Sequence, residues 1–154
     1  MIKQRESVNI EDTWALEDIF ATDDLWRSAV EGVGGKLPEY ERFKGKLSDS
    51  AEMLYRCLEL DDEVGQVLEK IGCYARQKSD QDTTVTEYQD LAGRAEDLYI
   101  QAAQASSFIR VEITHMGEET VNRMTEAYGP LQKYRRLFTV MFREKEHTLS
   151  DQEE

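Results

Sequence analysis

The strongest regularity in the chain lies over residues 84–113, where Tyr88, Leu91, Ala95, Leu98, Ala102, Ala105 and Ile109 recur in steps of three and four. That spacing puts them on one face of an α-helix. Thr84 followed by Glu87 is a capping-box pattern, in which each side chain satisfies a free N–H at a helix start, so the helix is predicted to begin there. Roughly 27 residues at 1.5 Å each give about 40 Å, the longest element expected. Its alanines and Gly93 keep the face thin, so neighbouring helices can approach closely.

Less regular patterns predict further helices. Thr22-Asp23-Asp24 is a cap-like acidic start for residues 23–43, which carry Leu25, Trp26, Ala29, Val30 and Val33 ahead of Gly34-Gly35 and Pro38. A kinked or broken helix is expected there. Residues 50–60 hold Met53, Leu54, Cys57 and Leu58, and residues 61–79 hold Val64, Val67, Leu68, Ile71, Tyr74 and Ala75. Asp61-Asp62-Glu63 suits the positive end of a helix dipole, which predicts two helices with a new start at 61. Shorter helices are expected over Glu118–Ala127 and over 130–145, with Pro130 at a tolerated first-turn position. The Trp14-Ala-Leu16-Glu-Asp-Ile19-Phe20 stretch precedes the first helix and is expected to pack as an extended arm. Two prolines, nine glycines and no repeat or low-complexity linker complete the expectation: an all-α, antiparallel bundle or array of five to six helices with an extended N-terminal arm, forming a single helical domain over 1–154.

Composition narrows the function. With 154 residues, 40% of them hydrophobic, one core can form without disulfides or a structural metal. Nineteen Lys and Arg stand against 32 Asp and Glu, a formal charge of −13. Nucleic-acid binding needs Lys and Arg to neutralise phosphates, and anionic membranes select the same chemistry, so neither is an expected partner. The N-terminal residues carry no apolar signal core, and no run approaches the roughly 20 apolar residues of a membrane span, which makes a cytoplasmic protein the expectation. Cys57 and Cys73 lack CxxC spacing and read as free thiols on apolar helix faces.

The familiar catalytic patterns are missing. Neither His115 nor His147 begins H-E-x-x-H, and there is no phosphate-binding G-x-x-x-x-G-K-[ST] loop and no G-x-S-x-G elbow. Glu112-Ile-Thr-His115 and Glu144-Lys-Glu-His147 form two E-x-x-H units, the pattern that di-iron carboxylate bundles combine with two further glutamates. Both histidines fall at predicted helix ends, where they would meet terminal carbonyls and not a bundle interior. Lys133, Arg135, Arg136, Arg143 and Lys145 form the one local positive concentration, either a solvated face or a dock for an acidic partner. Tyr74, Tyr88, Tyr99, Tyr128 and Tyr134 read as core-edge aromatics. The residues alone identify no catalytic, substrate-binding or metal site.

Motif order adds a resemblance. Trp14-x-Leu16-x-x-Ile19-Phe20 is followed by Trp26, then by the stretch from Tyr40 to Gly45 ahead of Lys46-Leu47, and by Tyr74-Ala75 with Asp82-Thr83. Tyr88-Gln89-x-Leu91 with Arg94-Ala95, Ser107-Phe108 with Glu112-Ile113, and Tyr134 leading to Arg143-x-x-x-His147-Thr148-Leu149-Ser150-x-x-Glu153-Glu154 complete the series. In this order the chain resembles the N-terminal region of oligoendopeptidase F, a zinc metallopeptidase family. The resemblance implies a longer enzyme whose H-E-x-x-H helix and downstream Glu bind zinc in a deep channel admitting short peptides. Those positions are not in this sequence, so the resemblance implies a domain that is not catalytic alone and lacks zinc. Its implied role is to form a wall or lid of that channel, with a C-terminal catalytic domain as partner and oligopeptides as the whole enzyme's substrates. A homodimer through 130–145 and the chain end beyond His147 is a further expectation, from an interdomain face left bare. A stand-alone helical interaction module and a di-metal bundle are the alternatives.

Overall fold

The computed structural model describes residues 8–145. Six α-helices run in order: α1 Asp23–Lys36, α2 Ala51–Gln81, α3 Thr86–Ser106, α4 Phe108–Met116, α5 Glu118–Ala127 and α6 Arg135–Lys145. Short 3-10 turns cover Ile10–Asp12, Leu16–Asp18, Leu37–Arg42 and Gly129–Tyr134, and no strand occurs among the described residues. The all-α expectation is met. The N-terminal arm is less extended than its sequence suggested, because two 3-10 turns fold it locally.

Three predicted boundaries are corrected. The longest helix is α2, 31 residues and about 46 Å at 1.5 Å per residue. It runs through Asp61-Asp62-Glu63 without a break. These acids are met from the side: Tyr40 donates its hydroxyl to Asp61 at 2.8 Å and Lys36 pairs with Glu63 at 2.7 Å. Leu60 and Val64, both buried, carry the apolar face across the acidic stretch. The 84–113 helix is two, α3 and α4, separated by a turn at Ser107, where consecutive serines compete for backbone hydrogen bonds. Thr84 does not cap α3, which begins at Thr86. Instead the Thr84 N–H and hydroxyl both donate to the Asp82 carboxylate, at 2.9 and 2.6 Å, in an Asx turn that ends the previous helix's exit.

Other signals hold. Leu25 N–H donates to the Thr22 hydroxyl at 3.3 Å, the side-chain cap read from sequence. The helix passes Gly34-Gly35 intact and tightens into a 3-10 turn at Leu37, since Pro38 cannot donate to a continuing helix. α5 occupies its predicted span, while the segment after Pro130 begins as a 3-10 turn and becomes α-helical at Arg135.

The chain groups into two compact units, and α2 contributes to both. The first takes the described residues up to Pro38 with Asp62–Gln104. Here the fully buried Trp26 donates its indole N–H to the Ile71 carbonyl at 3.0 Å, which fastens α1 to α2. Tyr99 of α3 donates to the Leu68 carbonyl at 3.1 Å. Its ring lies so close to Gly72 that a Cβ there would stand 2.8 Å from Tyr99 Cε2, so residue 72 must lack a side chain for this approach. The second unit takes Glu39–Asp61 with Ala105 onward. In it α4, α5, α6 and the 129–134 turn pack on one another with Ile113, Val121, Leu131 and Phe138 buried. Gln132 donates its side-chain N–H to the Thr125 carbonyl at 2.7 Å, satisfying a carbonyl that the end of α5 leaves open.

Candidate functional site

In the second unit, Glu112 of α4 is held by backbone amides of a turn far away in the sequence. Its Oε1 accepts the Gly45 N–H at 2.6 Å and its Oε2 accepts the Leu47 N–H at 3.3 Å. Gly45 has φ of 76°, a left-handed turn that glycine adopts without a Cβ penalty. One carboxylate of α4 therefore holds the turn that leads to buried Leu47. His115, one turn on, is exposed beside Met116 and ahead of Gly117, which ends α4 at φ 81°. The shallow cleft there is lined by Gly45, Ser48, Glu112, His115 and Met116.

The two E-x-x-H units do not converge on a metal site within what is described. Glu112 is occupied by backbone amides, Glu144 accepts from Arg110 at 2.7 Å, and His147 lies outside the described residues. No group of three or more His, Cys, Asp or Glu residues comes together in a metal-binding arrangement among the described residues. The donor set for a resident metal is not assembled there, and no chemical step is derived through one.

The cysteines separate. Cys57 is buried, and burial first, then the charges of Asp61 and Glu112, push its thiol up to about 12. Cys73 is exposed, against the expectation of a buried thiol. It lies in an open cleft between α2 and α3 with Gly72, Arg76, Ala95, Glu96 and Tyr99. The tyrosines also divide: Tyr74 and Tyr134 are buried, Tyr88 and Tyr128 half-buried, and Tyr99 exposed.

Two polar clusters hold their units together. In the first unit Asp23 accepts from Tyr74 at 2.6 Å and from Lys78, and Lys78 also sits over the Tyr88 ring. Burial acts to raise the Asp23 carboxyl, but the hydrogen bonds from Lys78 and Tyr74 and the Lys78 charge outweigh it and hold it below the usual range. In the second unit Glu59 accepts from Lys133 and, at 3.2 Å, from Tyr134. Of the five predicted cations, Lys133, Arg135, Arg136 and Arg143 border one open groove with Gln132, Thr139 and Val140. The side chain of Lys145 is outside the described set.

None of the clefts lined by described residues brings a nucleophile, a base and an oxyanion donor together, and the chain's similarity to known proteins carries the reading further. The family model for oligopeptidase F matches residues 112–154. The chain is 37% identical over 153 residues to oligopeptidase PepF of Bacillus subtilis, covering 99% of this chain and 23% of that protein. The chain corresponds to an N-terminal region of oligoendopeptidase F.

It is likewise 33% identical over 154 residues to group B oligopeptidase PepB of Streptococcus agalactiae, 100% of this chain and 26% of that protein. The crystal structure of oligoendopeptidase-F from Enterococcus faecium superposes with a TM-score of 0.77 at 27% identity, covering 84% of this chain and 26% of that one. The chain thus spans about a quarter of the length of the oligoendopeptidase F relatives it matches. Glu112 is where sequence reasoning fell short. Its value as an acceptor for amides 65 and 67 positions away has no local signature, and only the motif order around Ser107-Phe108 and Glu112-Ile113 marked the place.

Proposed function

We propose that the chain serves as one helical, non-catalytic domain of a longer oligopeptidase. In this reading it forms a wall or lid of the channel through which short peptides reach a zinc centre carried elsewhere in the polypeptide. The observation that supports it is the match over nearly the whole chain to proteins named oligopeptidases, of which the chain is about a quarter. A rigid helical wall would restrict access by size, admitting unfolded oligopeptides and excluding folded proteins. The partner is then the remaining, catalytic part of the polypeptide, and the setting is cytoplasmic; no helix among the described residues is long and apolar enough to cross a membrane.

A second copy is the weaker partner. A two-fold contact through 130–145 would set the exposed Arg135, Arg136 and Arg143 of each copy against their equivalents, because an isologous interface repeats the same patch. The chain end beyond His147, also expected in that contact, lies outside the described residues. The test of the main reading uses a quenched-fluorescent octapeptide with added zinc. The 154-residue chain is expected to leave it intact while the longer polypeptide cleaves it. Turnover by the chain alone, retained after removal of contaminating peptidase, would overturn the reading.

A further inference from the structure

The groove on α6 carries charge of the wrong sign for its surroundings. The chain bears −13 overall, yet Lys133, Arg135, Arg136 and Arg143 line this groove and no acidic side chain does so among the described residues. Lys133 at the rim is held by Glu59. Arg135, Arg136 and Arg143 are exposed. Arg135 and Arg136 also open α6, whose first turn holds no acid; cations at the positive end of a helix dipole are unfavourable. The local fold therefore carries an electrostatic cost that an anion seated in the groove would offset.

The spacing defines the shape of that anion. Arg136, Thr139, Val140 and Arg143 recur at helical i, i+3, i+4 and i+7, so they share one face, and the two arginines stand about 10 Å apart along the axis. Three to four residues of extended chain cover that distance. Arginine offers a planar fork of donors that matches a carboxylate bidentately. Val140, half-buried between them, supplies an apolar floor.

We propose that this groove docks an extended acidic oligopeptide, whose side-chain carboxylates are taken by Arg136 and Arg143 with Arg135 at the margin. Nucleic acid is opposed by the strong negative charge of the rest of the chain, which a short peptide with few charges feels less. The inference stands on charge and geometry and does not depend on the peptidase reading.

The experiment measures anisotropy of a fluorescein-labelled decapeptide of alternating Gly and Glu against the 154-residue chain, with the Gly-Gln decapeptide as its neutral twin. The Glu peptide is expected to bind, and more weakly as salt shortens the screening length; the Gln peptide is not. The double variant R136Q/R143Q should lose about tenfold in affinity, as expected for two exposed charge contacts. Lys70→Gln, which removes an exposed charge on α2, should leave affinity within about twofold. R136K/R143K keeps charge but not the fork and should fall between, giving a second reading should the Gln variant fold poorly by circular dichroism. Equal binding of the Gln peptide, or wild-type affinity in both double variants, would overturn the proposal. So would a dimer, seen by sedimentation, that dissociates in R136Q/R143Q, because the groove's occupant would then be a second copy.

Discussion

Single side chains carry much of the architecture, and Glu112 is the clearest case. Both of its oxygens are used by backbone amides of the turn at Gly45 and Leu47. Glu112→Gln keeps one acceptor oxygen and replaces the other with a donor, so one amide loses its partner, at a cost of about 1–3 kcal/mol. Urea unfolding should show a lower midpoint for the variant at unchanged slope, and an unchanged midpoint would remove Glu112 from the account of this turn. The thiols give a second check. Cys57 is buried with its thiol pushed up to about 12, and Cys73 is exposed, so a thiol reagent at neutral pH should label Cys73 promptly and Cys57 only in denaturant. Equal labelling rates would contradict the packing of α2. Asp23 and Lys78 set a pH signature. Asp23 is held below the usual carboxylate range and Lys78 above the usual amine range, where burial opposes and the bonds to Asp23 and Tyr74 prevail. The Asp23 contribution is therefore full above about pH 5 and lost as pH falls through its lowered value, and the Lys78 contribution is full below about pH 10 and lost as pH rises past its raised value. Both groups are partly solvated, so each limb should amount to under about 1 kcal/mol. Asp23→Asn should flatten the acid limb of a stability-against-pH curve, and a wild-type acid limb in that variant would remove the pair from the account.

At the scale of elements, what was legible followed local chemistry. The Thr22 cap, the span of α5 and the apolar faces of α2 and α3 were readable because caps, glycines and apolar spacing act within a few residues. The misread boundaries share one cause. Asp61-Asp62-Glu63 looked like a helix start because acids favour that position, but partners from distant segments, Tyr40 and Lys36, receive Asp61 and Glu63 in mid-helix. Thr84 looked like a cap because its local pattern allowed one, and Asp82 took both of its donors first. The continuity of α2 can be tested at Asp61. Tyr40 is 1% exposed, and burial followed by the charge and hydrogen bond of Asp61 pushes its hydroxyl far above the usual range, so it stays a donor at any working pH. Asp61→Ala leaves that buried donor without its carboxylate and should cost about 1–3 kcal/mol, whereas Tyr40→Phe should cost nearer 1 kcal/mol, since the half-exposed Asp61 can take up water instead. Thermal or urea melts of the two variants check the order, and a milder Asp61→Ala would contradict it.

For the whole molecule, helical class was legible from the shortage of breakers, but the function was not legible from composition or from any catalytic motif. The proposed reading came from the order of modest motifs along the chain, because a wall or lid would need shape and packing and no dedicated chemical signature. The basic groove on α6 was visible as a run of cations, yet that no described acidic side chain lines it became apparent only from the structure, where Glu59 pairs with Lys133 and Glu144 with Arg110. The central proposal is that residues 1–154 govern access to a peptidase centre without supplying its chemistry. The direct measurement is the ratio of kcat/KM for an octapeptide to that for a folded protein substrate, in the longer polypeptide with and without these residues. The account predicts a ratio strongly favouring the octapeptide when they are present, falling when they are removed while octapeptide cleavage persists. An undiminished ratio in the shortened enzyme would contradict it.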